Sequence, residues 1–361
     1  MAKKMPVRLE AIDLFCGGGG LTVGLKNAGF SVIGAVELDP YAASTFQANH
    51  PEPRLFIQDI QYVTGKDLLA LTRTGSIDLL SGCPPCQGFT SLTAKYRRDD
   101  PQNQLVNEML RLVEETLPHA VMMENVPGLT QRGSKLFTPM IEKLQNLGYL
   151  VEFDILQVAD YGVPQFRKRL VLLAGLGFRI SLPAPTHSRS GNTLPKWRTV
   201  REAIGDLPPP LSMSEAKKQG AFPTQDWHVV RDLAPQNKAR LLVTKPGKSW
   251  KDIPEELRPL CHRGGYDGFS NVYGRMEWED VSPTITGGCT TLSKGRFGHP
   301  EENRTISVRE AARLQTFPDE YVFDTSFMEP VCKIIGNALP CDFAAVIAAQ
   351  CRDALLDGIN T

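Results

Sequence analysis

Glu10-Ala11-Ile12-Asp13-Leu14-Phe15-Cys16-Gly17-Gly18-Gly19-Gly20 is the stretch that decides how this chain folds. An apolar run with an embedded acid, residues 10–15, reads as a short buried strand. The glycine run after it lets the backbone turn tightly and approach a ligand without side-chain obstruction. Residues 21–28 then read as a helix, with Gly29 placed for a left-handed stop. Residues 31–38 (SVIGAVEL) form a second strand, and Asp39-Pro40 supplies an N-cap followed by proline at the first helical position.

The same alternation runs outward. Residues 76–81 (SIDLLS) read as a strand. Val106, Met109, Leu110, Val113 and Leu117 recur at helical spacing, and residues 119–126 (HAVMMENV) form another strand. Phe137, Met140, Ile141, Leu144 and Leu147 repeat the helical spacing up to Gly148, and residues 149–156 and 168–175 read as further strands. The fold class is therefore α/β, a doubly wound, mostly parallel sheet, in which ligands bind at the carboxyl ends of the strands. After Ile180 the pattern breaks at Pro183, Pro185, Pro195, Pro208, Pro209 and Pro210. Residues 186–306 are rich in Gly, Pro, Ser and Thr and read as a smaller, loop-rich domain. Ser307 and Glu310 then form an S-x-x-E capping box for a helix through Leu314, and a last helix spans about 342–356. The expected organisation is 1–185 as one domain, 186–306 as the second, and 307–361 returning to the first.

Bulk properties narrow the class. The chain has 361 residues, 42% hydrophobic and 22% charged, as in ordinary globular proteins. Net charge is zero, but residues 186–306 hold 18 Lys and Arg against 14 Asp and Glu, while the rest holds 22 against 26. A mildly basic middle on an acidic body suits a localised polyanion contact and equally suits surface variation. No apolar run approaches the roughly 18 residues that span a bilayer, and the N-terminus lacks a signal-peptide core, so a cytoplasmic protein without a membrane segment is expected. The eight cysteines are scattered, without zinc-site spacing, and most are expected to be small buried hydrophobes.

The glycine loop is not G-x-G-x-x-G, and no phosphate-binding G-x-x-x-x-G-K-S/T is present. A nucleoside with an uncharged linker, such as S-adenosylmethionine, fits better than a pyrophosphate. Glu37 ends the second strand where such folds place an acid for ribose hydroxyls, and Asp59, in Gln58-Asp59-Ile60, could accept from an adenine amine. The alternative is that the glycines only turn the chain and the acids cap helices. In Gly82-Cys83-Pro84-Pro85-Cys86-Gln87-Gly88-Phe89-Thr90, a cysteine sits on a rigid turn after a strand. A C-x-x-C redox pair, a buried structural cysteine and a catalytic nucleophile all remain open from these residues alone.

Six motifs occur together and in order: residues 13–20; Pro84-Pro85-Cys86-Gln87; Glu124-Asn125-Val126; Gln165-Phe166-Arg167-Lys168-Arg169; Arg309-Glu310-Ala311-Ala312-Arg313-Leu314-Gln315; and Gly336-Asn337-Ala338-Leu339-Pro340. In type, order and spacing the chain resembles the DNA cytosine-C5 methyltransferases, of the bacterial restriction-modification type. The long interval between the fourth and fifth motifs is where that family carries its target-recognition domain. One small departure is Cys341, where many relatives have a second proline.

The resemblance implies an S-adenosylmethionine-dependent methyltransferase fold and assigns roles. Cys86 is the thiolate that attacks C6 of a cytosine and activates C5. Glu124 meets N3 and the exocyclic amine, Arg167 binds O2, and Arg169 orients Glu124 or a neighbouring carboxylate. Phe15 stacks on the adenine, Glu37 takes the ribose, and Asp59 takes the adenine amine with Ile60 beside it. Gly17 and Gly19 shape the cofactor loop, and Pro85, Leu105 and Asn337 line the methionine side. The target cytosine must be flipped out of double-stranded DNA. Loop 90–103, with Lys95, Arg97 and Arg98, is long enough to close over it. Candidate base contacts are Tyr266-Asp267-Gly268, Tyr273-Gly274-Arg275-Met276 and residues 284–291, with Lys294, Arg296 and His299 as phosphate contacts. A paired restriction endonuclease, no membrane partner and a monomeric state go with this reading. The competing classes are a tRNA-directed relative, disfavoured by the long insert, and a catalytically silent DNA-binding regulator, disfavoured by intact Cys86, Glu124 and Arg167.

Overall fold

β1 (Glu10–Leu14) is buried along its whole length and pairs in parallel with two neighbours, as a central strand of a doubly wound sheet must. The computed structural model describes residues 8–85, 104–220, 226–265 and 269–360. Cys86, loop 90–103 with Lys95, Arg97 and Arg98, and Tyr266-Asp267-Gly268 lie outside the described residues.

From β1 the chain runs through α1 (Gly20–Asn27), β2 (Ser31–Glu37), α2 (Pro40–Asn49), β3 (Arg54–Ile57), α3 (Gly65–Leu69), β4 (Leu79–Gly82), α4 (Leu105–Thr116) and β5 (Ala120–Asn125). It continues through α5 (Gly128–Gln131), α6 (Ser134–Asn146), β6 (Tyr149–Gln157) and β7 (Lys168–Leu176). The seven strands lie in the order β3-β2-β1-β4-β5-β7-β6. The sheet is parallel from β3 to β5, whereas β7 runs antiparallel to both β5 and β6. The doubly wound, mostly parallel sheet read from the sequence is therefore present. β3 was not legible, because only four residues, half of them exposed, carry it. The strand expected at 76–81 is shifted to Leu79–Gly82, because the Asp78 carboxylate is occupied by the Glu10 N–H at 2.7 Å.

Local chemistry fixes the element ends. Asp39 caps α2 by accepting from the Tyr41 and Ala42 N–H groups, with Pro40 behind it. Gly29 and Gly148 take φ of 94° and 95° after α1 and α6, as left-handed stops require. Leu117 does not extend α4: it is the left-handed C-cap, φ 42°, and is exposed. Ile12, Leu14, Leu80, Val121, Met123, Leu170 and Leu172 form one apolar core with the inward faces of α4 and α6.

Two compact units emerge. The first comprises Met1–Gln157, Lys168–Pro185 and Leu339–Thr361; the second comprises Val158–Arg167 and Thr186–Ala338. The boundaries differ from 1–185, 186–306 and 307–361, since residues 307–338 cluster with the second unit and only the chain from Leu339 onward returns to the first. The second unit contains α7 (Val200–Ile204), β8 (Leu211–Ser212), α8 (Met213–Lys218), β9 (Val229–Val230), α9 (Pro235–Val243), α10 (Val308–Leu314) and α11 (Met328–Asn337). Ser307 caps α10 in the expected capping box with Glu310. α12 (Cys341–Asn360) then rejoins the first unit and packs on α1 so closely that a Cβ on Gly24 would sit 2.4 Å from Ala344 Cβ. The stretch Met328–Gly358 is apolar and long enough, by composition, to cross a membrane. This corrects the expectation that no such run exists; burial of 67% of its most apolar window, and the packing of α12 on α1, account for its apolar character.

Candidate active site

Within the first unit, the residues expected to hold a cofactor lie at or just past the carboxyl ends of β1 to β4. β1 stops at Leu14 because Phe15 enters the left-handed region, φ 57°, a conformation rare for an aromatic residue. Gly17 and Gly19 follow at φ 55° and 92°, and α1 begins at Gly20. The loop is bound directly to the end of β2: the Gly17 N–H donates to Glu37 Oε2 at 2.8 Å, while Leu38 and Asp39 N–H donate to Oε1 at 2.8 and 2.7 Å. Burial raises the Glu37 pKa and these N–H groups oppose the rise. Asp59 caps the turn Ile60–Tyr62 by accepting from Gln61 N–H, and Ile60 is buried beside it. Pro85 follows β4, and Leu105 opens α4 with its side chain against the core.

Asp13, which the sequence reading treated only as part of a motif, is fully buried. Thr22 Oγ1 donates to Asp13 Oδ2 at 2.6 Å, and Oδ1 has no hydrogen-bond partner among the described residues. Burial pushes its pKa up to about 7, Thr22 opposes the rise, and Glu37 adds to it. Its one advance signal was an acid inside an otherwise apolar strand.

A second cluster lies two strands away. Glu124, buried, is the penultimate residue of β5, and Arg169 is the second residue of β7, with Nε 2.6 Å from Glu124 Oε1. The Cys83 thiol, on the turn after β4, lies at the side of the same carboxylate, and burial and Glu124 push its pKa up. Asn125 Nδ2 donates to Pro84 O at 3.0 Å, and its Oδ1 accepts from Val126 N–H at 2.8 Å. The Cys83-Pro84-Pro85 turn, which leads into Cys86, is thus tied to the end of β5.

Arg167 and Asn337 both belong to the second unit. Arg167 is buried, precedes β7, and spends Nη1 on the carbonyls of Ile285 and Gly336 at 2.9 and 3.2 Å. β7 starts at Lys168, between Arg167 and Arg169. Asn337 is the exposed last residue of α11.

Residues 9–353 match the family model described as C-5 cytosine-specific DNA methylase. The chain belongs to that family. It is 39% identical over 354 residues to the type II methylase M.HgiDII of Herpetosiphon aurantiacus, covering 97% of this chain and 96% of that one. It is 33% identical over 345 residues to the type II methyltransferase M1.HphI of Haemophilus parahaemolyticus, covering 94% and 86%. In fold it is similar to a putative DNA modification methyltransferase encoded within an Escherichia coli prophage, at TM-score 0.73, 24% identity, and coverage of 96% and 99%. It is also similar in fold to the Schizosaccharomyces pombe Dnmt2 methyltransferase, at TM-score 0.61, 19% identity, and coverage of 98% and 100%.

The second unit of this C-5 cytosine methylase corrects several expected DNA contacts. Arg275 is buried and donates to the carbonyls of Leu241, Thr244, His299 and Glu302 and to Asn303 Oδ1, all between 2.5 and 2.9 Å. It ties its own segment to residues 241–244 and 299–303 and has no fork left for a base. His299 is buried between Glu302 and Glu310, and burial pulls its pKa down to about 4, so it is a neutral interior group rather than a phosphate contact. Thr286 and Gly287 lie against α11, and Cys289 and Thr290 are buried, so the 284–291 segment packs inward over much of its length. Lys294 remains exposed, whereas Arg296 is half-buried and donates to Gly247 O. A glycine- and threonine-rich segment permits close backbone approach to DNA and to a helix alike, and here the helix takes it.

Proposed function

We propose that this C-5 cytosine methylase is a site-specific enzyme of duplex DNA, and that Cys86 attacks C6 of a flipped-out cytosine. The observation that carries the reading is the Glu124–Arg169 pair at the ends of β5 and β7, beside the Cys83-Pro84-Pro85 turn that delivers Cys86. A thiolate adding to C6 pushes electron density into the ring, toward N3 and O2. Glu124 is the group to meet N3 and the exocyclic amine. Arg169, fixed at 2.6 Å from Glu124, is the guanidinium beside that ring edge and meets the charge on O2. Arg167, which the resemblance assigns to O2, donates from Nη1 to the carbonyls of Ile285 and Gly336. When C5 has been methylated, its proton leaves to a base, the sulfur–C6 bond breaks, and Cys86 is regenerated as thiolate.

S-adenosylmethionine fits the edge formed by β1 to β4. A Cβ at Gly17 would meet nothing within 4 Å, so the loop leaves open space, and Asp13 Oδ1 is a buried acceptor beside it. Phe15 would face the adenine, Glu37 the ribose and Asp59 the adenine amine, with Ile60, Pro85, Leu105, Gly17 and Gly19 around them. The cofactor supplies an electrophilic methyl group; the chain supplies position and charge.

The second unit, with its basic balance, would recognise the target sequence. Its work would protect DNA from a cognate restriction endonuclease, as the setting of type II methyltransferases suggests. One chain flipping one base needs no symmetry, so the enzyme would act as a monomer. The test is bisulfite sequencing of plasmid DNA from a host without cytosine methylation, expressing this chain or its Cys86→Ala variant. Protected cytosines in one short motif, lost in the variant, are expected. Full conversion with folded protein would rule out duplex DNA as substrate and redirect the search to RNA.

A further inference from the structure

Cys83 follows the last residue of β4, Gly82. The sheet register gives it a more specific place. Leu14 pairs with Gly82, and Gly82 pairs with Met123, both in parallel. The next residue on each strand is Phe15, Cys83 and Glu124, so the thiol and the carboxylate follow the last paired rung on one face of the sheet. The Cys83 N–H still reaches Leu14 O at 3.4 Å, and Pro84 O is fixed by Asn125. The thiol is therefore held by backbone on both sides, next to a carboxylate that Arg169 already grips.

We propose that Cys83 is a positioning residue for Glu124: its neutral thiol donates a hydrogen bond to the carboxylate and, with Arg169, fixes the angle at which Glu124 meets the cytosine ring. This rests on the reading of Glu124 as the ring-facing acid. The groups facing the thiol are Glu124 from β5, Asp13 from β1 and Arg169 from β7. Burial and the two carboxylates hold the thiol well above its ordinary pKa, with only Arg169 opposing through its charge. A thiolate there would add negative charge beside two acids. The S–H form is the donor, and Cys83 is kept from competing with Cys86 as a nucleophile. A thiol is a weak donor, so its contribution is orientation rather than binding strength.

The test compares Cys83→Ala and Cys83→Ser in the full-length enzyme. Removing the donor should lower kcat roughly tenfold, about one hydrogen bond in the transition state. KM for S-adenosylmethionine and for DNA should stay unchanged, and serine, which keeps a donor, should restore most of kcat. The S–H infrared band lost in the Cys83→Ala difference spectrum should lie at the lowered frequency of a hydrogen-bonded thiol and move upward in Glu124→Gln, where the acceptor is uncharged. A free-thiol band, a band unmoved by Glu124→Gln, unchanged kcat in Cys83→Ala, or equal losses in Ala and Ser with lowered Tm would each overturn the proposal. If the wild-type enzyme protects no cytosine in duplex DNA, the proposal falls with the reading beneath it. The infrared band then still reports whether the thiol–carboxylate contact exists, which separates the two failures.

Discussion

Arg169, the second residue of β7, clamps Glu124, the penultimate residue of β5, Nε to Oε1 at 2.6 Å, with both side chains largely buried at 14% and 10% exposure. The strands are antiparallel neighbours, so the start of one lies beside the end of the other. Removing one partner of such a pair strands the other charge in a poorly solvated place, which typically costs about 3–5 kcal/mol. Arg169→Ala should therefore both lower the denaturation midpoint and abolish measurable methylation. Arg169→Lys should retain the fold and lose at least tenfold in kcat, because a point charge cannot reproduce the fork. Chemical denaturation and single-turnover kinetics on the two variants would check this; full activity in Arg169→Lys would rule out a geometric role for the guanidinium.

Asp13 makes stability depend on pH in the direction opposite to most carboxylates. Its folded pKa is raised from 3.8 to about 7. Between those values the folded chain holds a proton that the unfolded chain has released, so stability is lost as pH rises through this window. A shift of this size corresponds to about 4 kcal/mol of order-of-magnitude cost at neutral pH. Asp13→Asn, which keeps the shape and the bond from Thr22, should gain stability over wild type as pH goes from 5 to 8. Urea midpoints across that range would show it, and parallel curves for the two proteins would contradict it.

His299 titrates in the usual sense for a buried imidazole. Burial lowers its folded pKa to about 4, and Arg304 adds to the effect against the opposing pull of Glu310 and Glu302. The unfolded chain binds the proton first, so stability is lost as pH falls from about 6.5 toward 4. His299→Gln should flatten this acid limb. It should leave the salt dependence of DNA binding unchanged, whereas loss of a true phosphate contact would reduce the log–log slope by about 1. Binding titrations at several salt concentrations distinguish the two.

Gly336 sits where α11 meets the 284–291 segment, and a Cβ there would lie 2.1 Å from Thr286 C and from Gly287 N. Backbone cannot swing aside as a side-chain tip can. Gly336→Ala should therefore cost at least the roughly 1–3 kcal/mol of an overpacked core and disturb the carbonyl that Arg167 holds. Gly75→Ala is a useful contrast: nothing lies within 4 Å, so any cost there reflects only its left-handed φ of 80°. Thermal melts of the two variants should differ by several degrees, with Gly336→Ala the lower.

The sequence by itself determined the α/β alternation, because helical and strand periodicities, the Asp39-Pro40 cap, the Gly29 and Gly148 stops and the Ser307–Glu310 box are all local signals. It also determined the order of the motifs, and so the family. Partners across strands were decided only by the tertiary structure. β7 inserts antiparallel between β5 and β6 and so sets Arg169 2.6 Å from Glu124; the resemblance implied that partner, but no local pattern records which strand end lies beside which. Whether an arginine or histidine faces solvent or the interior also depends on the packing around it. Arg275 and His299 read as DNA contacts from composition, yet both are interior, because surrounding carbonyls satisfy the guanidinium and burial keeps the imidazole neutral. Asp13 is the same lesson in reverse. Its letter marks a charged surface residue, and a closed strand with a single threonine hydroxyl makes it a buried acid poised near neutral pH.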